Sequence, residues 1–334
     1  MRFPSPSGAR RLAALVLATG ACLPAFAASY TLVDLGTDKF PTAINDHEEI
    51  SGTNRNTHAI VWRDGRWHTL LHRISRGQAI NQHGDVAGDS GANPMLWRPG
   101  REGRMLPLPG GSHFGLGTGI NDRRVVVGLF EADDATIRCF QWTPGAGSID
   151  LGFMEAGDFC QPYDVNNAGQ VTGLAGIDAQ RTEHAFVYDQ GIFHDLGTLP
   201  EGDESQGIAI NDHGDVAGRA WVPPLDGMHY HAVKWPAGGE IVDLDPQGRY
   251  AWSVANGIND AGEVVGTVMI EALGDVRAVR FAGQHAVKLQ SEVTNLDGWI
   301  LEQASGVNDA GEIVGWGTAP DGRSHAFLLR PETR

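Results

Sequence analysis

The sequence predicts an all-β chain closed into a seven-bladed β-propeller of four-stranded blades, the last blade closed by the N-terminal strand. Three observations predict it: one motif recurs seven times, its copies lie 36 to 49 residues apart, and the two ends carry complementary fragments of the repeat. The motif is a small residue, Ile or Val, Asn, usually Asp, any residue, usually Gly, then a β-rich stretch ending in Gly. Its Asn stands at Asn45, Asn81, Asn121, Asn166, Asn211, Asn259 and Asn308, and the closing Gly follows seven residues later in every copy. Strand-like units repeating at about 40 to 50 residues are the mark of propeller blades.

Taken in chain order, residues 1–27 read as a secretory signal. Arg2, Arg10 and Arg11 precede an apolar stretch too short to span a bilayer, and Ala25-Phe26-Ala27 supplies the small-x-small cleavage pattern. A lipidated Cys22 is the rival reading, with Thr19 standing where a larger aliphatic residue is usual. Residues 28–334 then form a single propeller domain, secreted or periplasmic. Tyr30-Thr31-Leu32-Val33-Asp34-Leu35-Gly36 is a fourth strand with no first three before it. At the other end, His325-Ala326-Phe327-Leu328-Leu329 is a third strand with no fourth after it. Laying the first strand beside the last completes blade 7 and removes an exposed edge.

Within each blade, strand a ends at the Asn. The Asn-Asp-x-Gly turn follows, where Gly supplies positive φ and Asn or Asp bonds its own backbone. Strand b is the Val-Val-Gly-like stretch. Strand c alternates small and bulky residues, as in His184-Ala185-Phe186, His231-Ala232-Val233 and His325-Ala326-Phe327, a contrast suited to sheets packed on both faces. Strand d tends to read Asp-Leu-Gly, as at Asp150-Leu151-Gly152 and Asp195-Leu196-Gly197. The seven Asn, and the recurring His58, His184, His231 and His325, are expected to bond their own hairpins and blade edges rather than a ligand.

Without residues 1–27 the chain holds 22 basic and 41 acidic residues, a net charge of −19. That charge repels nucleic acid and anionic surfaces. No later run approaches a membrane span, so no membrane partner is expected, and the chain is expected to be a monomer. Cys139 and Cys160 form the candidate disulfide of an oxidising compartment; two buried thiols are the alternative. No cofactor is expected. Turn acids such as Asp212 and Asp215, or Asp260 and Glu263, have the hard-donor chemistry of a Ca²⁺ site but fall short of a known loop pattern.

The combination of Ile-Asn-Asp-x-Gly-x-Val-Val-Gly, His-Ala-Phe and Asp-Leu-Gly-Thr-Leu resembles the HAF-repeat family of extracellular, secreted bacterial proteins, most closely over residues 194–218 and 306–327. The resemblance implies export and a repeat domain, and no activity. Blades 2 and 3 depart from it, with Asn93-Pro94-Met95 and Arg138-Cys139-Phe140 in place of His-Ala-Phe, so these two are expected to be shorter or less regular.

Function is expected where the repeats differ. With four strands per blade, the b–c and d–a loops share a face, and they are the long ones. They carry Trp221, Tyr230, Trp252 and Trp299 beside Asp203, Glu204 and Asp226. Aromatic rings that stack on sugars, with carboxylates that accept hydroxyl bonds, point to a protein that recognises a glycan or protein ligand. The competing expectation is that these rings fill gaps between blades. The alternative function is an extracellular hydrolase or lyase acting on a polysaccharide in the central pocket. No nucleophile elbow, zinc helix or phosphate loop supports it, and His229-Tyr230-His231 with Asp226 is the one tight cluster of titratable groups.

Overall fold

The computed structural model describes residues 29–154, 156–178, 182–223, 229–270 and 274–332. The expected signal, residues 1–27, and Asp226 lie outside them. The described residues form seven antiparallel sheets of four strands, with 3₁₀ turns at Pro109–Gly111 and Leu289–Ser291. Six sheets follow chain order, as in blade 5 with Ser205–Ile210, Val216–Trp221, Tyr230–Trp235 and Val242–Asp243. In blade 7, Tyr30–Thr37 pairs with Ser324–Pro331, in the register Leu32 to Leu329 and Asp34 to Phe327. The chain therefore closes on itself as the two terminal fragments predict.

The core lies between blades rather than within one. Ala185, Ala232 and Ala326 of the third strands are fully buried, as are Phe140, Phe186 and Phe327. Blades 3 and 4 share one apolar cluster, in which Phe186 and Val171 meet Val127 and Met154. Cys139 and Cys160 are disulfide-bonded inside it, with Cα atoms 5.2 Å apart, and so tie strand c of blade 3 to strand a of blade 4. Buried serines add polar stitches between blades: Ser75, Ser205 and Ser253 accept the N–H groups of Ala59, Ala185 and Ala232.

Three of the four recurring His have a structural partner in strand d, while His58 meets the His72 ring edge-on. His184, His231 and His325 bond through Nδ1 to Asp195, Asp243 and Asp34 of the adjoining fourth strand, each at 2.9 Å. The same carboxylates accept the N–H two residues on, at Gly197, Asp245 and Gly36. His-Ala-Phe and Asp-Leu-Gly are thus two halves of one interaction. Blade 3 keeps it with Arg138, which donates to Asp150 at 2.9 Å, and its strands Ile137–Thr143 and Gly147–Gly152 are full length. The expectation of a short blade fails there because Arg reaches the same carboxylate. In blade 2 strand d is only Arg104–Met105, but blade 5, which keeps the His and Asp, has an equally short Val242–Asp243, so the length does not follow from the departure.

Candidate functional site

Every strand a contains a β-bulge at the same place. Pairing with strand b slips between Pro41 and Ala43, Gly77 and Ala79, Gly117 and Gly119, Pro162 and Asp164, Gly207 and Ala209, Ala255 and Gly257, and Ala304 and Gly306. A bulge re-aims the extra side chain. Here the extra residues are Thr42, Gln78, Thr118, Tyr163, Ile208, Asn256 and Ser305, and all seven line one well in the central channel, of about 540 Å³. The closing Gly of the motif stands opposite the bulge. A Cβ at Gly218 would lie 1.9 Å from the Gln206 carbonyl oxygen, so that position admits glycine alone.

Strand a runs from the long-loop face to the Asn turn, so the well opens on the long-loop face. Arg76, Leu116, Gln161 and Gln303 line it nearer the mouth. Asp164 is the one carboxylate among its described lining residues and Arg76 the one cation. Burial raises the Asp164 pKa, against the N–H bonds that Ile210 and Val165 donate to it. Tyr163, also raised by burial, is the one aromatic ring of the lining.

Beneath the well, Ile44, Ile80, Ile120, Val165, Ile210, Ile258 and Val307 form an apolar collar. It lines a smaller cavity of about 160 Å³ on the opposite face, and five of its residues, Ile44, Ile80, Ile120, Ile258 and Val307, also line the well. The turn Asn residues stand just below. Each accepts local N–H groups, as Asn121 Oδ1 does from Arg123 and Val125. Each also donates through Nδ2 to the carbonyl of the next Asn around the ring, and Asn308 returns to Asn45, closing a sevenfold circuit. A second circuit lies outside it. The backbone N–H of each following residue donates to a side-chain oxygen of its counterpart in the next blade, from Asp46 to Gln82 and on to Asp309 back to Asp46. The local bonding expected of these Asn is therefore only half of their role.

Of the residues proposed from loop composition, none of the described ones lines the well. Trp221 and Tyr230 face each other at the edge of blade 5. The Tyr230 hydroxyl donates to Glu204 at 2.7 Å, and the Arg219 guanidinium covers its ring at 4.4 Å. Burial, then the Glu204 contact, pushes the Tyr230 pKa up to about 12. Asp203 is exposed beside this group, and Trp252 is half-buried at the start of strand a of blade 6. Trp299 is only 7% exposed, packed with Leu289 and Leu301 and edge-on to His325, so it fills a gap and offers no stacking face. His231 is engaged by Asp243. Among the described residues no group of three or more His, Cys, Asp or Glu is placed to hold a metal ion, and no helix is long and apolar enough to cross a membrane.

No family model matches the chain, and no curated protein matches its sequence. Solved propellers do match it in shape. A virginiamycin B lyase from Staphylococcus aureus aligns at TM-score 0.56 and 11% identity, over 91% of this chain and 100% of that one. YCF48 bound to D1 peptide aligns at 0.51 and 12%, over 92% and 97%. The β-propeller domain of the Trilobed protease from Pyrococcus furiosus aligns at 0.50 and 9%, over 92% and 86%. At such identities the likeness shows the propeller fold alone.

Proposed function

We propose that this chain is an exported, HAF-repeat-type binding propeller that holds a hydroxyl-rich ligand, a glycan, in the well on its long-loop face. One observation carries the reading: seven equivalent bulges deliver seven side chains to one cavity, and those side chains are not constrained to be alike. The structural positions of the repeat agree from blade to blade, while the positions facing the cavity vary. A volume of about 540 Å³ falls within the roughly 300–1,000 Å³ range of small-ligand pockets. Amides at Gln161 and Gln303 and the Ser305 hydroxyl offer donors and acceptors to a sugar, beside Gln78, Asn256, Thr42 and Thr118, which also bond neighbouring protein groups. The Tyr163 ring supplies a stacking surface. The hydrolase or lyase alternative would need partners for Asp164 that the described lining does not provide, so binding is preferred.

A glycan-array screen of the purified chain tests this. Binding that Tyr163→Ala and Gln78→Ala weaken at least tenfold, with unfolding midpoints unchanged, supports the well. Binding lost on Trp221→Ala or Trp252→Ala but indifferent to the well variants would move the site to the outer loops. The virginiamycin B lyase neighbour makes turnover worth following in the same samples, and cleavage of a bound glycan would favour the alternative.

A further inference from the structure

One residue breaks the sevenfold pattern inside the well. The position two before each turn Asn is Ala43, Ala79, Gly119, Ala209, Gly257 or Gly306 in six blades, and Asp164 in blade 4. Its two oxygens are held by backbone donors, Oδ1 by Val165 N–H at 2.8 Å and Oδ2 by Ile210 N–H at 3.1 Å. Protein surrounds it, yet solvent still reaches it through the well. Among the described residues no Lys, Arg or His lies within ion-pair distance of it, and the other charge that influences it is the carboxylate of Asp212. Arg76, the well's one cation, stands at the mouth opposite Asp89 in the strand pairing and acts on that carboxylate instead.

An enclosed carboxylate without a counter-charge is costly, and the cost is relieved when a ligand cation reaches it. The Ile and Val collar narrows the lower end of the well to an apolar ring, so the polar lining that a ligand can meet lies above it, on the side of the long-loop face. The chain's net charge of −16 draws cations toward it from a distance. Resting on the reading of the well as the ligand site, we propose that it receives an amino-sugar ligand, whose ammonium group meets Asp164 while its hydroxyls meet the amide and hydroxyl walls. Asp164 is then a specificity determinant, separating free amines from their neutral acetylated counterparts.

Titration calorimetry with a glucosamine trisaccharide and its fully N-acetylated counterpart tests this on the wild type, Asp164→Asn, Asp164→Ala and Tyr163→Ala. Asp164→Ala restores the small residue of the other blades, and unfolding midpoints check that each variant folds. The free amine is expected to bind the wild type at least tenfold more tightly, with the preference collapsing to parity in Asp164→Asn. Equal or tighter binding of the acetylated sugar, or a preference that survives Asp164→Asn, overturns the proposal. If both sugars bind without preference and Tyr163→Ala weakens both, the well remains the site and only the role of Asp164 falls. If neither binds, the amino-sugar proposal falls, and the array decides the wider reading.

Discussion

Asn121→Ala measures what the inner hydrogen-bond circuit contributes to stability. The Asn121 side chain is 4% exposed and makes three hydrogen bonds. It accepts from Arg123 N–H at 3.1 Å and Val125 N–H at 3.0 Å, and donates to the Asn166 carbonyl at 2.9 Å. No side-chain oxygen stands in reserve, because the residue four positions on is Val125 rather than the Glu, Gln or Asp of the other blades. At about 1 kcal/mol net for each bond, the loss is about 3 kcal/mol, more if the freed N–H groups stay dry. Asn167, one step outward, provides the comparison. It also bonds Asp122 and Asp212, but it is half-exposed, so water can replace those partners and Asn167→Ala should cost about 1 kcal/mol or less. Urea unfolding followed by tryptophan fluorescence reads both as midpoint shifts at constant slope. A cost below about 1 kcal/mol for Asn121→Ala, or one no larger than that of Asn167→Ala, would refute the claim that the inner circuit holds the ring together.

Three further outcomes follow from the same geometry. Replacing Cys139 and Cys160 together by Ala frees a loop with a sequence separation of 21 residues, for which chain entropy predicts a loss of about 3 kcal/mol, read as a lower urea midpoint. Deleting residues 29–37 uncovers the edge of Ser324–Pro331 together with Phe327 and Leu329, and should abolish cooperative unfolding and promote aggregation; an unchanged midpoint by calorimetry would count against closure as the source of stability. Stability should fall as pH rises from about 5 to 8. Burial, then the contact with Glu48, pushes the Glu312 carboxyl up to about 7, so the native state keeps a proton that the unfolded chain loses above about 4.5. That stabilisation is complete at low pH and disappears as pH passes 7. His231 and His325 add to it with the same sign: burial lowers their pKa, but bonds to Asp243, and to Asp34 and Asp321, outweigh it and raise them. Glu312→Gln should flatten the decline between pH 5 and 7.

The scaffold was legible in the sequence because each of its devices repeats. Seven Asn and seven closing glycines recur at a fixed offset, the Asn bonding the next blade and the glycines admitting the close approach of strand a. The His and Asp of strands c and d recur and pair in three blades. The two half-blades at the ends disclosed the closure. The well was not legible, because a bulge is a backbone irregularity and its residues, from Thr42 to Ser305, share no chemistry that a pattern could detect. Loop composition singled out residues outside the well: Tyr230 is engaged by Glu204 and Arg219, and Trp299 is 7% exposed. Two traces were present all the same. The closing Gly marks the strand opposite each bulge, and Asp164 stands in a column otherwise filled by Ala and Gly.

That division explains how one repeat can serve both stability and recognition. Two closed circuits of bonds between blades lie at the Asn turns, below the collar, where their partners are backbone groups and neighbouring side chains of the same repeat. The bulge residues lie above the collar and line the well, and two of them also reach the next blade, Thr42 at the Gly77 carbonyl and Asn256 at the Ala304 carbonyl. A change at Ile208 or Ser305 therefore alters the lining without breaking a side-chain bond between blades, whereas a change at Gly218 or Asn211 disturbs strand pairing or the circuit. The bulge makes this separation, since without it the same residue would point into the packed blade interface, where its size would be fixed by its neighbours. Seven positions free to differ, mounted on a frame that cannot, form a cavity whose chemistry is set independently of the fold, and Asp164 is where this chain has departed furthest from its own repeat.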